Sequence, residues 1–287
     1  MSRVNDPVEP DQAGNESWWT RNTMSYDWNS KVSVAPYSAE WFDVIDGRFL
    51  FGARLFTGEA NPFPEMMGLD RLRGKRVLEI GCGMGMHSEM LKRAGSDLTS
   101  IDLSATSIQA TTQRFRLKNL DGDIRKMDAE ALEFDDAEFD VIWSWGVIHH
   151  SESTSRALAE IARVLKPGGE AGIMVYSLDG MAAYVTLLRR YLMGFWRGAD
   201  LDRLLWDFAD GHTARHYSRD GWREAVAPWF TVASSRLCGQ DADVVPLPRH
   251  IRSYCLRFLS RERQIRLAGS RGSMLFSQLR KRDGLGS

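Results

Sequence analysis

Val77-Leu-Glu-Ile-Gly-Cys-Gly-Met-Gly85 carries the densest chemical signal in the chain. An apolar run containing Glu79 ends in glycines alternating at Gly81, Gly83 and Gly85. Glycine lets the backbone approach a ligand with no Cβ in the way. A helix starting just beyond would offer free N–H groups to an anion such as a carboxylate. The spacing is not the GxGxxG of a dinucleotide turn, because Met86 stands where the last glycine belongs. No lysine follows where a P-loop needs one. Asp102 and Asp128 are further carboxylates, each at the end of a short apolar or mixed run. An ionised carboxylate accepts more than one hydrogen bond. His149-His150-Ser-Glu152 offers imidazoles able to act as a base near neutral pH. Adjacent histidines on one loop seldom converge on one ion, and no third ligand is evident, so no metal is expected.

Those residues need strands and helices to hold them. RVLEIGCG (76–83), DLTSIDLS (97–104), part of GDIRKMDAEAL (122–132), FDVIWSWG (139–146) and EAGIMVYS (170–177) read as strands. MHSEMLKRAG (86–95), ATSIQATTQRFRLKNL (105–120) and TSRALAEIARVLKPGG (154–169) read as helices between them. Strands alternating with helices argue for βαβ units around a parallel sheet, with strands buried on both faces. FTVASSRLCG (230–239) is a sixth strand.

With these motifs in hand, residues 76–177 resemble class I S-adenosylmethionine-dependent methyltransferases, and within them the type 11, quinone C-methyltransferase-like branch. VLEIGCGMG resembles the family's first motif, and FDVIWSWGVIHH and LKPGGEAGIMVYS its fourth-strand and fifth-strand motifs. The resemblance implies an α/β fold, a Rossmann-like, mostly parallel, seven-stranded sheet flanked by helices. It implies a cofactor, S-adenosyl-L-methionine, with S-adenosyl-L-homocysteine as product. It places Glu79 near the methionine amino group, and Gly81, Cys82, Gly83 and Gly85 along the glycine loop. Asp102 and Leu103 would meet the ribose, and Met127, Asp128 and Ala129 the adenine. Ser144, Trp145 and Val147 would border the methionine moiety. The same loop would lie beside the sulfonium, making His149 or His150 a candidate base.

The flanks set the substrate and are less legible. Residues 1–17 are polar and acidic and read as disordered. Residues 18–70 are aromatic-rich and read as a helical lid, with Ser38 capping one helix and Tyr26, Trp28 and Tyr37 near the pocket mouth. Aromatic faces attract a cationic sulfonium. The core then spans 71–178. Residues 179–228 read as a helical cap inserted after the fifth strand, with His212 and His216 facing substrate and Tyr176 at the edge. Residues 229–287 hold the last strands and basic C-terminal helices, with 249–280 read as helical.

Composition bounds the rest. Of 287 residues, 43% are hydrophobic and 26% charged, as in a globular protein. Three scattered cysteines and no CxxC argue for reduced thiols and a cytoplasmic location. The N-terminus lacks an apolar signal region, and no run of 18 apolar residues suggests a transmembrane helix. A net charge of −1 argues against a nucleic-acid-coated surface. The charge is uneven: 5 Lys/Arg against 11 Asp/Glu over 1–70, and 10 against 2 over 249–287. The expected activity is methyl transfer to N, O or C of a small molecule, natural-product or quinone-like. Alternatives are an RNA methyltransferase using the basic tail and a catalytically silent binding protein. An aromatic arm that could exchange between subunits leaves room for a homodimer.

Overall fold

The computed structural model describes residues 11–26, 32–192 and 211–282. Its strands are β1 (Arg76–Ile80), β2 (Asp97–Asp102), β3 (Asp123–Lys126), β4 (Phe139–Trp145), β5 (Leu165–Ser177), β6 (His216–Tyr217), β7 (Phe230–Cys238) and β8 (Met274–Lys281). They form one sheet in the order β3-β2-β1-β4-β5-β8-β7, with the two-residue β6 beside the end of β5. The pairs among β1 to β5 are parallel, and β8 runs antiparallel to both β5 and β7. This is the expected mostly parallel sheet, with one short strand more than the seven expected.

Helices α4 (Met86–Arg93), α5 (Ala105–Leu117) and α6 (Thr154–Val164) follow β1, β2 and β4. Ser104 and Ser153 cap α5 and α6, their hydroxyls accepting the N–H of Ser107 and Arg156. Core side chains cover both faces of the sheet: Ile142, Ile161 and Val164 lie in one cluster, Leu91, Trp143 and Phe276 in another. Because β1 is buried along most of its length, it reads as a continuous apolar run. The strand order reverses between β1 and β4. The crevice outside the carboxyl ends of these strands is where such sheets bind ligands.

Ahead of the sheet lie α1 (Gln12–Arg21), α2 (Ala39–Ala53) and α3 (Phe63–Met67). Ser38 caps α2 as expected, accepting the Trp41 N–H at 3.1 Å. Asp46 on α2 pairs with the buried Arg114 of α5 at 2.6 Å. Residues 12–17 depart from the expected disorder: they begin α1, capped by Asp11, which accepts the Gly14 N–H at 2.6 Å. Polar composition concealed a helix whose docking is itself polar. Asn15 is buried and donates to the His150 carbonyl at 2.7 Å.

Two further expectations need correcting. The proposed cap begins as α7 (Met181–Leu192), but its last part is core. There β6 pairs with β5, and α8 (Arg219–Val226) buries Trp222, whose Nε1 donates to Ser277 Oγ at 3.2 Å. Residues 193–210 of the cap lie outside the described residues. The second concerns the basic tail. It holds α9 (Asp241–Val244) just ahead of it, then α10 (Arg249–Leu256) and α11 (Arg261–Arg271), but 274–281 is a strand in the sheet, not a helix. That segment has no β-branched residue, so pairing on both sides overrides its local preference. Lys281 is buried and donates to the Leu165 carbonyl at 2.6 Å, and Arg280 meets Glu170 at 3.1 Å. These cations serve the sheet.

Candidate functional site

Beneath α1 and α2, at the carboxyl ends of β1, β2 and β4, lies a cavity of about 1170 Å³. That exceeds the usual span for one small ligand. Its floor is the turn after β1. Gly81 has φ +83, and a Cβ there would stand 2.1 Å from Val147 Cγ2, so only glycine fits. Gly83 has φ +52, and a Cβ there would meet nothing within 4 Å, because the position faces open space. Gly85 begins α4 behind the turn, against Thr111, and does not line the cavity.

Asp102 ends β2. Its Oδ2 accepts the Gly83 N–H at 2.9 Å and its Oδ1 the Ser104 N–H at 2.8 Å. Burial raises its pKa, while those N–H bonds oppose the rise. The carboxylate is thus fixed in direction against the glycine turn. Leu103 follows it, and Met127, Asp128 and Ala129 line the next stretch of wall. Asp128 Oδ1 accepts from Glu130 N at 2.9 Å and from Gln12 Nε2 at 2.6 Å. Cys82, Trp145 and Val147 also line the cavity.

Glu79 and Ser144 do not line it. Glu79 lies one layer below, its Oε2 accepting from Ser88 and from Ser100 at 2.9 Å. Burial lifts its pKa to about 7 against those hydroxyl bonds. Its carboxyl lies under the turn. Ser144 is fully buried within β4.

The two histidines separate. His150 lines the cavity, and its Nδ1 lies 2.6 Å from the Thr213 carbonyl. A carbonyl only accepts, so Nδ1 carries the proton and Nε2 the lone pair. Burial lowers its pKa to about 4, partly offset by the Thr213 bond. His149 is fully buried behind it, 4.1 Å centroid to centroid from the Tyr176 ring, and is not on the wall. Burial holds it neutral, its pKa pushed well down.

Of the lid and substrate candidates, Tyr26 and Tyr176 line the cavity. Tyr37 does not; it packs on Trp41 and Phe42. His216 sits behind Tyr176, 5.4 Å between ring centroids. His212 turns to Asp11 at 3.1 Å, holding the start of α1. Trp28 lies outside the described residues. Unforeseen in the sequence, α1 supplies Gln12, Asn15 and Trp19 to the wall, while Arg249 and Arg252 of α10 stand on the far side. The one sequence signal for α1 is Asp11 as an N-cap before ten residues free of proline. Among the described residues no cluster of His, Cys, Asp or Glu could hold a metal ion.

Residues 78–173 match a family described as methyltransferase domain, type 11. The malonyl-[acyl-carrier protein] O-methyltransferase of Erwinia billingiae is 33% identical over 141 residues, 45% of this chain and 55% of that protein. The phthiotriol/phenolphthiotriol dimycocerosates methyltransferase of Mycobacterium tuberculosis is 41% identical over 100 residues, 34% of this chain and 36% of that protein. The chain thus spans about half or less of the length of these curated relatives. A crystal structure of an S-adenosylmethionine dependent methyltransferase from Mesorhizobium loti superposes with a TM-score of 0.53 at 18% identity, covering 76% of this chain and 97% of that one. The last likeness is one of fold.

Proposed function

We infer that this chain, whose residues 78–173 match the type 11 methyltransferase domain family, is an S-adenosylmethionine-dependent enzyme that transfers a methyl group to a small molecule. One observation carries the reading. The carboxylates of Asp102 and Asp128 stand on one cavity wall beside a glycine turn whose Gly83 faces open space. That donor set fits the cofactor: a carboxylate for the ribose diol, another for the adenine amino group, and apolar Leu103, Met127 and Ala129 between them.

When bound, S-adenosylmethionine supplies a methyl group already activated on a sulfonium. The chain's task is alignment and exclusion of water. Asp102 is fixed by two backbone N–H groups and needs no reorganisation to accept hydroxyls. Gly81 and Gly83 let the methionine end lie against the main chain. Helices α1 and α2 roof the cavity, with Tyr26 and Trp19 on the inner side. His150 and Tyr176 line the same cavity and are the residues we assign to the substrate end. With the cofactor held by Asp102, Asp128 and the glycine turn, in-line transfer would form the nucleophile–carbon bond as the carbon–sulfur bond breaks, releasing a neutral thioether. Where the nucleophile is protonated, His150 Nε2 takes the proton, Nδ1 being committed to Thr213. The acceptor atom is N, O or C of a natural-product or quinone-like molecule.

Calorimetric titration with S-adenosylmethionine and S-adenosylhomocysteine tests this reading, with Asp102→Ala beside the wild type. Micromolar binding by the wild type, weakened at least 100-fold in the variant, supports it. No binding by the wild type, with or without candidate acceptors, sinks it.

A further inference from the structure

Helices α7 and α10 turn their apolar faces the wrong way for a protein interior. On α10, Ile251 and Tyr254, with Leu247 just before the helix and Phe258 just after it, recur at helical spacing and form one ridge. That ridge points to solvent, Tyr254 being 61% and Phe258 70% exposed, while Leu256 on the opposite side is buried. On α7 the same holds for Tyr184, Leu188, Tyr191 and Leu192, the last 74% exposed, with Ala183 buried behind them. Single exposed apolar residues are ordinary; two aligned ridges are not.

Both ridges border the cavity described above. Ala182 of α7 and Arg249, Arg252 and Ser253 of α10 line it, and α9 packs against both helices. The charge along α10 and α11 is predominantly positive, while Asp241 and Asp243 sit on α9. Residues 249–271 hold seven arginines against Glu262 alone, and Arg249, Arg257, Arg261, Arg263 and Arg266 are exposed. Aromatic and aliphatic side chains projecting from short helices, flanked by arginines, match an interface with anionic headgroups above and acyl chains below. An acidic protein partner would explain the arginines but not side chains standing this far out. Among the described residues no helix is long and apolar enough to cross a membrane, so such contact would be peripheral.

We propose that the α7–α10 face docks on an anionic phospholipid surface, placing the cavity mouth where an apolar acceptor could enter from the bilayer. This rests on the methyltransferase reading only for its purpose, since docking itself needs no cofactor. The test is co-sedimentation of the full chain with phosphatidylcholine vesicles, with and without phosphatidylglycerol. Binding is expected with phosphatidylglycerol, at least tenfold weaker without it, and falling with added salt. Tyr254→Ser/Phe258→Ser and Leu188→Ser/Leu192→Ser should each lose at least tenfold, with cofactor affinity unchanged. These positions are already exposed, so folding should survive, and circular dichroism checks it. Wild type that ignores vesicles overturns the proposal, as do ridge variants that bind undiminished. So does a wild-type dimer that the ridge variants dissociate, or ridge-dependent capture of an acidic carrier protein in place of vesicles. Failure here with cofactor binding intact leaves the methyltransferase reading standing; vesicle binding without cofactor binding does the reverse.

Discussion

Gln12 Nε2 lies 2.6 Å from Asp128 Oδ1, joining residues 116 positions apart across the mouth of the cavity. The Glu130 N–H also bonds to Oδ1, so both contacts fall on one oxygen of the carboxylate. Helix α1 thus sets the direction of a carboxylate that the chain's core presents.

Gln12→Ala removes that clamp without touching Asp102. A hydrogen bond to a charged acceptor contributes about 1.5 kcal/mol, so affinity for S-adenosylhomocysteine should fall roughly tenfold. Calorimetry measures it. Tighter binding by the variant would instead mean that Gln12 competes with the ligand for Asp128.

His150 is the base in the proposed mechanism, and its depressed pKa fixes a pH signature. Its imidazole stays neutral down to about pH 4, so protonation should not reduce kcat/KM between pH 5 and 8. An inflection near 6.5 that vanishes in His150→Gln would contradict the burial. With a protonated nucleophile, His150→Gln should lower kcat by about 100-fold, within the usual reach of general base catalysis. Affinity for the methyl donor should change less than threefold.

Glu79 gives a stability prediction of definite sign. Folded, it keeps its proton up to about pH 7; unfolded, it releases it near 4.5. The folded chain therefore holds the extra proton between those values, and stability falls as pH rises through them. Glu79→Gln keeps an acceptor for Ser88 and Ser100 and has no charge to bury. It should match the wild type at pH 4 and exceed it at pH 8 by about 3 kcal/mol, read from urea unfolding at both pH values.

Trp222 is fully buried against the sheet, and its indole N–H is bonded to Ser277. Trp222→Ala should cost about 3–5 kcal/mol in urea unfolding. A loss below 1 kcal/mol would return residues 219–226 to a detachable cap.

What the sequence disclosed follows the range of its signals. The glycine turn, Asp102 and Asp128 lie within one run of strands and helices, where periodicity and caps act locally. Gly81, Gly83, Asp102 and Asp128 line one cavity. Glu79 missed the wall because the pleat sends its side chain beneath the turn, which spacing alone does not reveal. His149 and His150 are adjacent, yet one backbone step faces one to the cavity and the other to the core. The helix at Gln12 and the strand at Met274–Lys281 were misread for a common reason. Each is stabilised by partners more than 90 residues away: Asp128 and the His150 carbonyl for the first, β5 for the second.

That strand also dictates an order of events during synthesis. β5 is translated about a hundred residues before β8, the neighbour it pairs with from Glu170 to Tyr176. Until Met274 clears the ribosome, a nascent chain holding β1 to β5 presents an open, apolar strand edge, a known invitation to aggregation. Closing so long a loop is slow compared with forming the local βαβ units. Final assembly therefore waits on the last strand to arrive, and a chaperone that shields the β5 edge should raise the yield of native protein more than one acting on the finished fold.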